Sequence, residues 1–255
     1  MFTERYGPWA VVAGASEGLG AAFARACSER GLKVVLIARR AQVLDELAAT
    51  LKTETRCLPL DLASPDAASR IADFTRELDV GLVVYNAALS PIGPFVEQSL
   101  EENLKALDVN VRGPTAVAHH FVPRLVKRGS GGLVLLSSLT AFQGSPYVST
   151  YGATKSFNLS LAEGLWAELR GTGVDVLGVC AGATATPNLL KASKKAPPGM
   201  LQPEDVVRET LNALRAGPLL IPGRFNRFAS FFLRRVLPRR MTIQIMGAET
   251  RKLQK

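Results

Sequence analysis

Trp9-Ala10-Val11-Val12-Ala13-Gly14-Ala15-Ser16-Glu17-Gly18-Leu19-Gly20 joins a short apolar, β-branched run to a turn carrying three glycines. The run reads as a buried strand. The stretch after the turn, with Phe23, Ala24 and Cys27 on one helical face and Gly31 at its end, reads as a helix. In a strand–turn–helix, glycines let the backbone approach a pyrophosphate held at the helix N-terminus. Gly14, Ser16, Gly18, Leu19 and Gly20 are therefore candidate cofactor contacts. The spacing is GxxxGxG rather than GxGxxG, and glycines also simply make turns, so the flanking strand and helix carry the inference.

The alternation repeats along the chain. Lys33–Ile37 reads as a strand, 41–52 as a helix, 56–60 as a strand, 66–77 as a helix and Val80–Tyr85 as a strand. A long helix is expected over 101–128, a strand over Leu133–Leu136, a helix from Tyr151 to about Arg170 and a strand over Val174–Cys180. Asp205–Arg215 reads as helix and Leu219-Leu220-Ile221 as a last short strand. The strands are apolar throughout instead of alternating, which implies a parallel sheet covered on both faces. Right-handed crossovers then give a three-layer, doubly wound α/β domain whose ligands bind beyond the strands' carboxyl ends. Gly14, Ala38, Asp61, Asn86, Ser138 and Ala181 all lie at such ends.

After the second strand comes Ala38-Arg39-Arg40. An acid in this place holds the ribose 2′-hydroxyl of NAD, whereas Arg accommodates the 2′-phosphate of NADP. Ala38 offers no carboxylate to repel a phosphate, and Arg39 and Arg40 supply matching donors. NADP is the expected cofactor, with Glu17 a contrary sign. Asp61, with Leu62 beside it, can meet an adenine amino group or make a turn with Ser64-Pro65.

Ser149-Thr150-Tyr151-Gly152-Ala153-Thr154-Lys155 places a Tyr and a Lys four residues apart on one helical face. A free phenol, with a pKa near about 10, exchanges protons poorly at neutral pH. A fixed positive charge beside it is expected to lower that value and make an acid/base device.

With Ala13–Gly20, Asn86-Ala87-Ala88, Asn110, Ser138, Tyr151 and Lys155 in this order, the chain resembles the short-chain dehydrogenase/reductase family over roughly residues 8–222. The motifs matched are TGxxxGxG, NNAG, the active-site Asn, and Ser with YxxxK at a gap of 13 positions. The resemblance implies a Rossmann-like fold of about seven strands and a carbonyl–alcohol oxidoreductase. It implies Tyr151 as proton carrier, Lys155 lowering its pKa and binding the nicotinamide ribose, and Ser138 donating to the substrate oxygen. Asn110 would hold a water that links Lys155 to solvent, or be only a structural amide. Asn86, Ala87 and Gly182 would line the cofactor, with Thr184 and Thr186 at its carboxamide and phosphate. Ala13, Ala88 and Ala181 stand where the family has Thr, Gly and Pro, which touches local geometry and no proton-transfer group. Family members assemble as dimers or tetramers through helices equivalent to 101–128 and 151–170, so a homo-oligomer is expected.

The whole chain has 255 residues, 47% of them apolar and 21% charged, suited to a single globular domain. The scattered Cys27, Cys57 and Cys180 argue against a disulfide framework or zinc site, and adjacent His119 and His120 against a metal site. No metal is expected. The absence of a leader or a bilayer-length apolar run points to the cytoplasm. The formal charge is +9, but Gly223–Lys255 alone holds seven Arg and two Lys against one Glu. The body is close to neutral, so nucleic acid is not an expected partner. The chain thus divides into a catalytic unit, 1–222, and a basic amphipathic extension, 223–255. Phe228, Phe231, Phe232, Val236 and Leu237 of the extension interleave with arginines. Such a segment can lie on a membrane surface, on its own body or on another subunit.

The segments Leu89–Phe95, Leu139–Tyr147 and Ala183–Gly199 border the expected substrate space and are largely apolar, suggesting an apolar or lipid-like carbonyl compound. Lys191, Lys194 and Lys195 offer an anionic handle a partner or form a solvated flap. The competing reading is a non-catalytic NADP-binding sensor or membrane-docking protein on the same fold; intact Ser138, Tyr151 and Lys155 favour the enzyme.

Overall fold

The β-branched runs are strands buried on both faces. A computed structural model describes residues 1–192 and 196–251; Lys194 and Lys195 fall outside the described residues. Helix α1 (Phe2–Tyr6) precedes β1 (Trp9–Ala13), α2 (Gly18–Glu29), β2 (Lys33–Ala38), α3 (Ala41–Ala48), β3 (Thr55–Pro59), α4 (Ala67–Phe74) and β4 (Val80–Tyr85). Next come α5 (Leu100–Leu107), α6 (Gly113–Arg128), β5 (Gly131–Ser138), α7 (Ser149–Glu168), β6 (Val174–Ala181), α8 (Pro187–Ala192), α9 (Pro203–Ala213) and β7 (Leu219–Leu220). The chain closes with α10 (Arg224–Arg235) and α11 (Arg239–Arg251).

The seven strands form one parallel sheet in the order β3-β2-β1-β4-β5-β6-β7. It is the Rossmann-like, single-domain arrangement expected. Each sheet face has its own core. On one, Phe23, Cys27 and Leu36 pack with Leu211 and Leu214 under α2 and α9. On the other, Tyr85, Phe121 and Leu125 pack with Ile71 under α4 and α6. Each fully buried aliphatic or aromatic side chain contributes roughly 1.5–3 kcal/mol, so the sheet interior is the main source of stability. The chain builds outward from β1 to β3, then returns to lay β4 against the other side of β1. That reversal opens a crevice at the carboxyl ends of β1 and β4.

The expected single helix over 101–128 is not continuous. Residues Asp108–Arg112 form a π-helical turn between α5 and α6. Pro114, near the start of α6, lacks the N–H that a continuing helix needs, so a new helix begins there. The extension is two helices, broken at Leu237-Pro238, and both pack on the chain's own body. Asn226 of α10 lies against Gly182, and Thr250 of α11 donates to the Pro146 carbonyl at 2.7 Å.

Candidate functional site

Gly14, the first residue past β1, has φ +84°, and a Cβ there would fall 2.6 Å from the Ala87 nitrogen. Only glycine fits this crossing. Asn86 holds the crossing from the neighbouring strand: its Nδ2 donates to the Gly14 carbonyl at 2.9 Å. Asn86 and Ala87 thus shape the turn. Gly18, with φ +55°, lies where a Cβ would meet Thr186 Cγ2 at 2.7 Å. No side chain caps the start of α2, so its first-turn N–H groups face the crevice. Leu19 anchors that turn to the core beneath.

Arg40 reaches back to this turn, donating to Ser16 Oγ at 3.2 Å and to Glu17 Oε2 at 2.9 Å. The sign against NADP seen in Glu17 changes meaning: its carboxylate is balanced by Arg40 and also accepts from Asn188 of α8. Asp61 sits in a turn at this edge. Its Oδ1 accepts from Ala63 N at 3.0 Å and Lys105 Nζ stands 3.7 Å from Oδ2, with Leu62 buried beside it. After β6, Thr184 donates to the Gly182 carbonyl and Thr186 Oγ1 accepts from Leu189 N, so both hydroxyls steady the loop.

The proton-transfer candidates converge on the end of β5. Lys155 is 2% exposed. Its Nζ donates to the Leu136 carbonyl at 2.8 Å and stands 5.5 Å from the centre of the Tyr151 ring. Burial pulls this ammonium down to about 8. Among the described residues the bond to the Leu136 carbonyl is the one hydrogen bond of its three N–H groups, a surplus of buried donors. The lowering of the Tyr151 pKa expected from the sequence is not seen. Burial raises it, and the Ser138 hydroxyl pulls the other way. The cause is desolvation: the phenol is buried, and the nearby ammonium is directed at a carbonyl. Ser138 Oγ also accepts from Thr140 N, capping the short turn Leu139–Phe142. Ser137 is committed elsewhere, donating to the Lys155 carbonyl at 2.7 Å.

Asn110, fully buried in the π-helical turn, spends both amide hydrogens, one on the Leu89 carbonyl and one on Thr154 Oγ1. Its Oδ1 accepts from Leu89 N at 2.8 Å. The side chain ties Leu89 to Thr154 of α7. The crevice residues fit a nicotinamide dinucleotide: a glycine cradle, uncapped N–H groups, exposed Arg39, and spare Lys155 donors. Among the described residues no group of three His, Cys, Asp or Glu could hold a metal ion.

Residues 8–197 match the family model described as short chain dehydrogenase. The chain belongs to the short-chain dehydrogenase family. A 7beta-hydroxysteroid dehydrogenase of Clostridium sardiniense is 34% identical over 233 residues, 89% of each chain. A structure from a study of 7beta-hydroxysteroid dehydrogenase stereoselectivity superposes with a TM-score of 0.90 at 30% identity, covering 96% of this chain and 98% of that one. A short-chain dehydrogenase from Sphingobium yanoikuyae, in complex with NADPH, gives 0.77 at 31% identity, covering 84% and 87%.

Several neighbours of the site escape a reading of the sequence. Cys180, opposite Ser137 in the β5–β6 register, is buried beside Lys155 and Tyr151, and burial pushes its thiol up to about 12. Arg234 of α10 stacks on Phe142 with its guanidinium carbon 3.8 Å from the ring centre. Tyr147 has φ +67°, a backbone conformation that costs a non-glycine residue about 1–3 kcal/mol. It is held from both sides: Gly93 N donates to its carbonyl at 2.8 Å and Arg251 to its hydroxyl at 2.7 Å. Strand register carries the signal for Cys180; the contacts of Arg234 and Arg251 have none short of the tertiary fold.

Proposed function

We propose that the protein is an NADP(H)-dependent oxidoreductase interconverting a ketone or aldehyde and an alcohol on a bulky, apolar, steroid-like carbonyl compound, acting as a homo-oligomer. The observation that carries this reading is that half-buried Tyr151 and buried Lys155 share one face of α7, against the end of β5 where Ser138 sits. When bound, the cofactor supplies or accepts a hydride, and the protein supplies position and a proton. Ser138 donates to the substrate oxygen as negative charge develops there. Tyr151 gives its phenolic proton to that oxygen in reduction and takes it back in oxidation. The phenol is protonated at neutral pH, the form reduction requires, but its raised pKa holds that proton more tightly, so Ser138 and Lys155 must stabilise the phenolate as the proton leaves. Lys155 holds the ribose with its spare N–H groups and favours the phenolate once the proton has left. Asn110 positions the loop opposite.

Support for the cofactor is Arg39 and Arg40 after β2, with Glu17 neutralised, together with the NADPH complex of the Sphingobium relative. Support for the substrate class is the named activity of the relatives and the apolar rim from Ile92, Phe95 and Phe142. The direct test monitors cofactor absorbance over a panel of cyclic and linear ketones and alcohols. Turnover of a ring ketone with NADPH is expected; absence of turnover with any carbonyl, while NADPH still binds, would return the protein to the non-catalytic sensor reading.

A further inference from the structure

Helix α10 meets the body of the protein with its polar face. Asn226 and Ser230 are only 4 and 5% exposed, and Asn226 Nδ2 donates to the Gly199 and Pro222 carbonyls at 3.2 and 3.1 Å. The apolar side chains turn the other way. Phe225, Phe228, Phe232 and Val236 recur at helical spacing and, with Phe231, are 42 to 69% exposed. Met241 and Ile245 of α11, beyond the break at Pro238, are 48 and 41% exposed. A surface helix ordinarily buries its apolar stripe, so an exposed one of this size marks an interaction surface.

The charge around this face identifies what it meets. Residues 224–248 contain six arginines and no acidic residue. Arg227 is taken by Glu209 and Arg234 by the Phe142 ring. Arg224, Arg235, Arg239 and Arg240 are exposed and form no ion pair among the described residues. By helical periodicity Arg224 and Arg235 stand on the side of Phe228 and Phe231, one at each end of the stripe. Two-fold pairing of this face with a second copy would set arginine against arginine: Arg224 on Arg235 in an antiparallel pair, each on itself in a parallel one. Aromatic rings standing out between cations fit instead the boundary where acyl chains meet phosphate headgroups. There each arginine stem lies along the apolar layer and its guanidinium reaches a phosphate.

We infer that α10, continued by the start of α11, docks the protein on an anionic bilayer surface. Its phenylalanines enter the acyl boundary, and Arg224, Arg235, Arg239 and Arg240 meet lipid phosphates. No helix of the described residues is long and apolar enough to cross a membrane, so the contact is peripheral. The docking helix also backs onto the site. A Cβ on Gly182 would meet Asn226, and Arg234 lies on Phe142, so a bilayer against α10 would hold the roof of the substrate space at the lipid surface.

Co-sedimentation of the full-length protein with vesicles is the test, run with neither cofactor nor substrate, so that its outcome is separate from that of the proposed reaction. Circular dichroism confirms that each variant folds. The wild type is expected to pellet with vesicles of phosphatidylcholine and phosphatidylserine, and at least about tenfold less with phosphatidylcholine alone or in high salt. R224E/R235E and, separately, F228D/F231D are expected to weaken binding to the anionic vesicles by at least about tenfold. F228W is expected to bind as the wild type does and to shift its emission to the blue on doing so, as the introduced indole enters the acyl boundary. Wild type that stays in the supernatant, binding that ignores both double variants, or an unshifted F228W overturns the inference. So does a wild-type oligomer, seen by sedimentation velocity without vesicles, that F228D/F231D splits; that result would assign the face to a second copy.

Discussion

Tyr151 and Lys155 are readable as a pair from their spacing, but their electrostatics are not. Helical periodicity brings the side chains to one face; it says nothing of the Leu136 carbonyl that takes the Lys155 ammonium or of the burial that lifts the phenol. Tyr151→Phe is expected to lower turnover about 10²–10⁴-fold with NADPH affinity nearly unchanged, measured by steady-state kinetics and fluorescence titration. Activity retained in that variant would remove Tyr151 from proton transfer. Lys155 has a second, separable signature in stability. Its folded pKa, about 8, lies below the ordinary lysine value of 10.5. Between those values the unfolded chain binds more protons than the folded one, so stability rises with pH across this window. Lys155→Met is therefore expected to abolish the rise and to stabilise the cofactor-free protein at pH 7 by on the order of 3 kcal/mol, seen by urea unfolding at pH 7 and pH 10. A rise of equal size in both proteins would contradict this. At the neighbouring strand end, Arg39→Ala with Arg40→Ala is expected to weaken NADPH far more than NADH. Equal losses would mean that neither arginine reads the 2′-phosphate.

The strands are legible in the sequence because apolar, β-branched runs bounded by glycines leave few alternatives, and their continuous apolarity announces the parallel sheet. Element boundaries and interruptions are less so. The π-helical turn at Asp108–Arg112 hides inside a helical pattern, with Pro114 its one visible trace. Its purpose is tertiary: the extra residue swings Asn110 toward Leu89 and Thr154. Asn110→Ala removes these bonds and is expected to cost about 1–3 kcal/mol. It should also speed hydrogen exchange at the Leu89 amide and raise KM more than it lowers kcat. A selective fall in kcat with KM unchanged would instead place Asn110 in proton relay. The extension shows the other limit of pattern reading. Periodicity in α10 reveals an apolar face and a basic one, but a period identifies a face without saying which way it turns, and here the apolar face turns outward.

At the scale of the molecule, the first turn of chain is tied to the far end of the sheet. Asp175 at the start of β6 accepts two bonds from Arg5, at 2.6 and 2.9 Å, and one from the Tyr6 hydroxyl at 2.7 Å. A contact spanning so much chain has no local signature, so neither partner stands out in the sequence. Asp175→Ala is expected to destabilise the protein by about 1–3 kcal/mol, measured by denaturant midpoint, while leaving kcat unchanged.

The segment after β6 closes on the glycine turn: Thr186 crowds Gly18, and Asn188 donates to Glu17 at 3.1 Å. A dinucleotide seated in that crevice would lie beneath this latch, so leaving would require the Asn188–Glu17 bond to part. Were that parting the slow step, exchange of spent for fresh dinucleotide would be set by how often the latch opens, independent of which carbonyl is being reduced. Substrates of quite different reactivity would share one ceiling on their maximal rate, and loosening Asn188 would lift it.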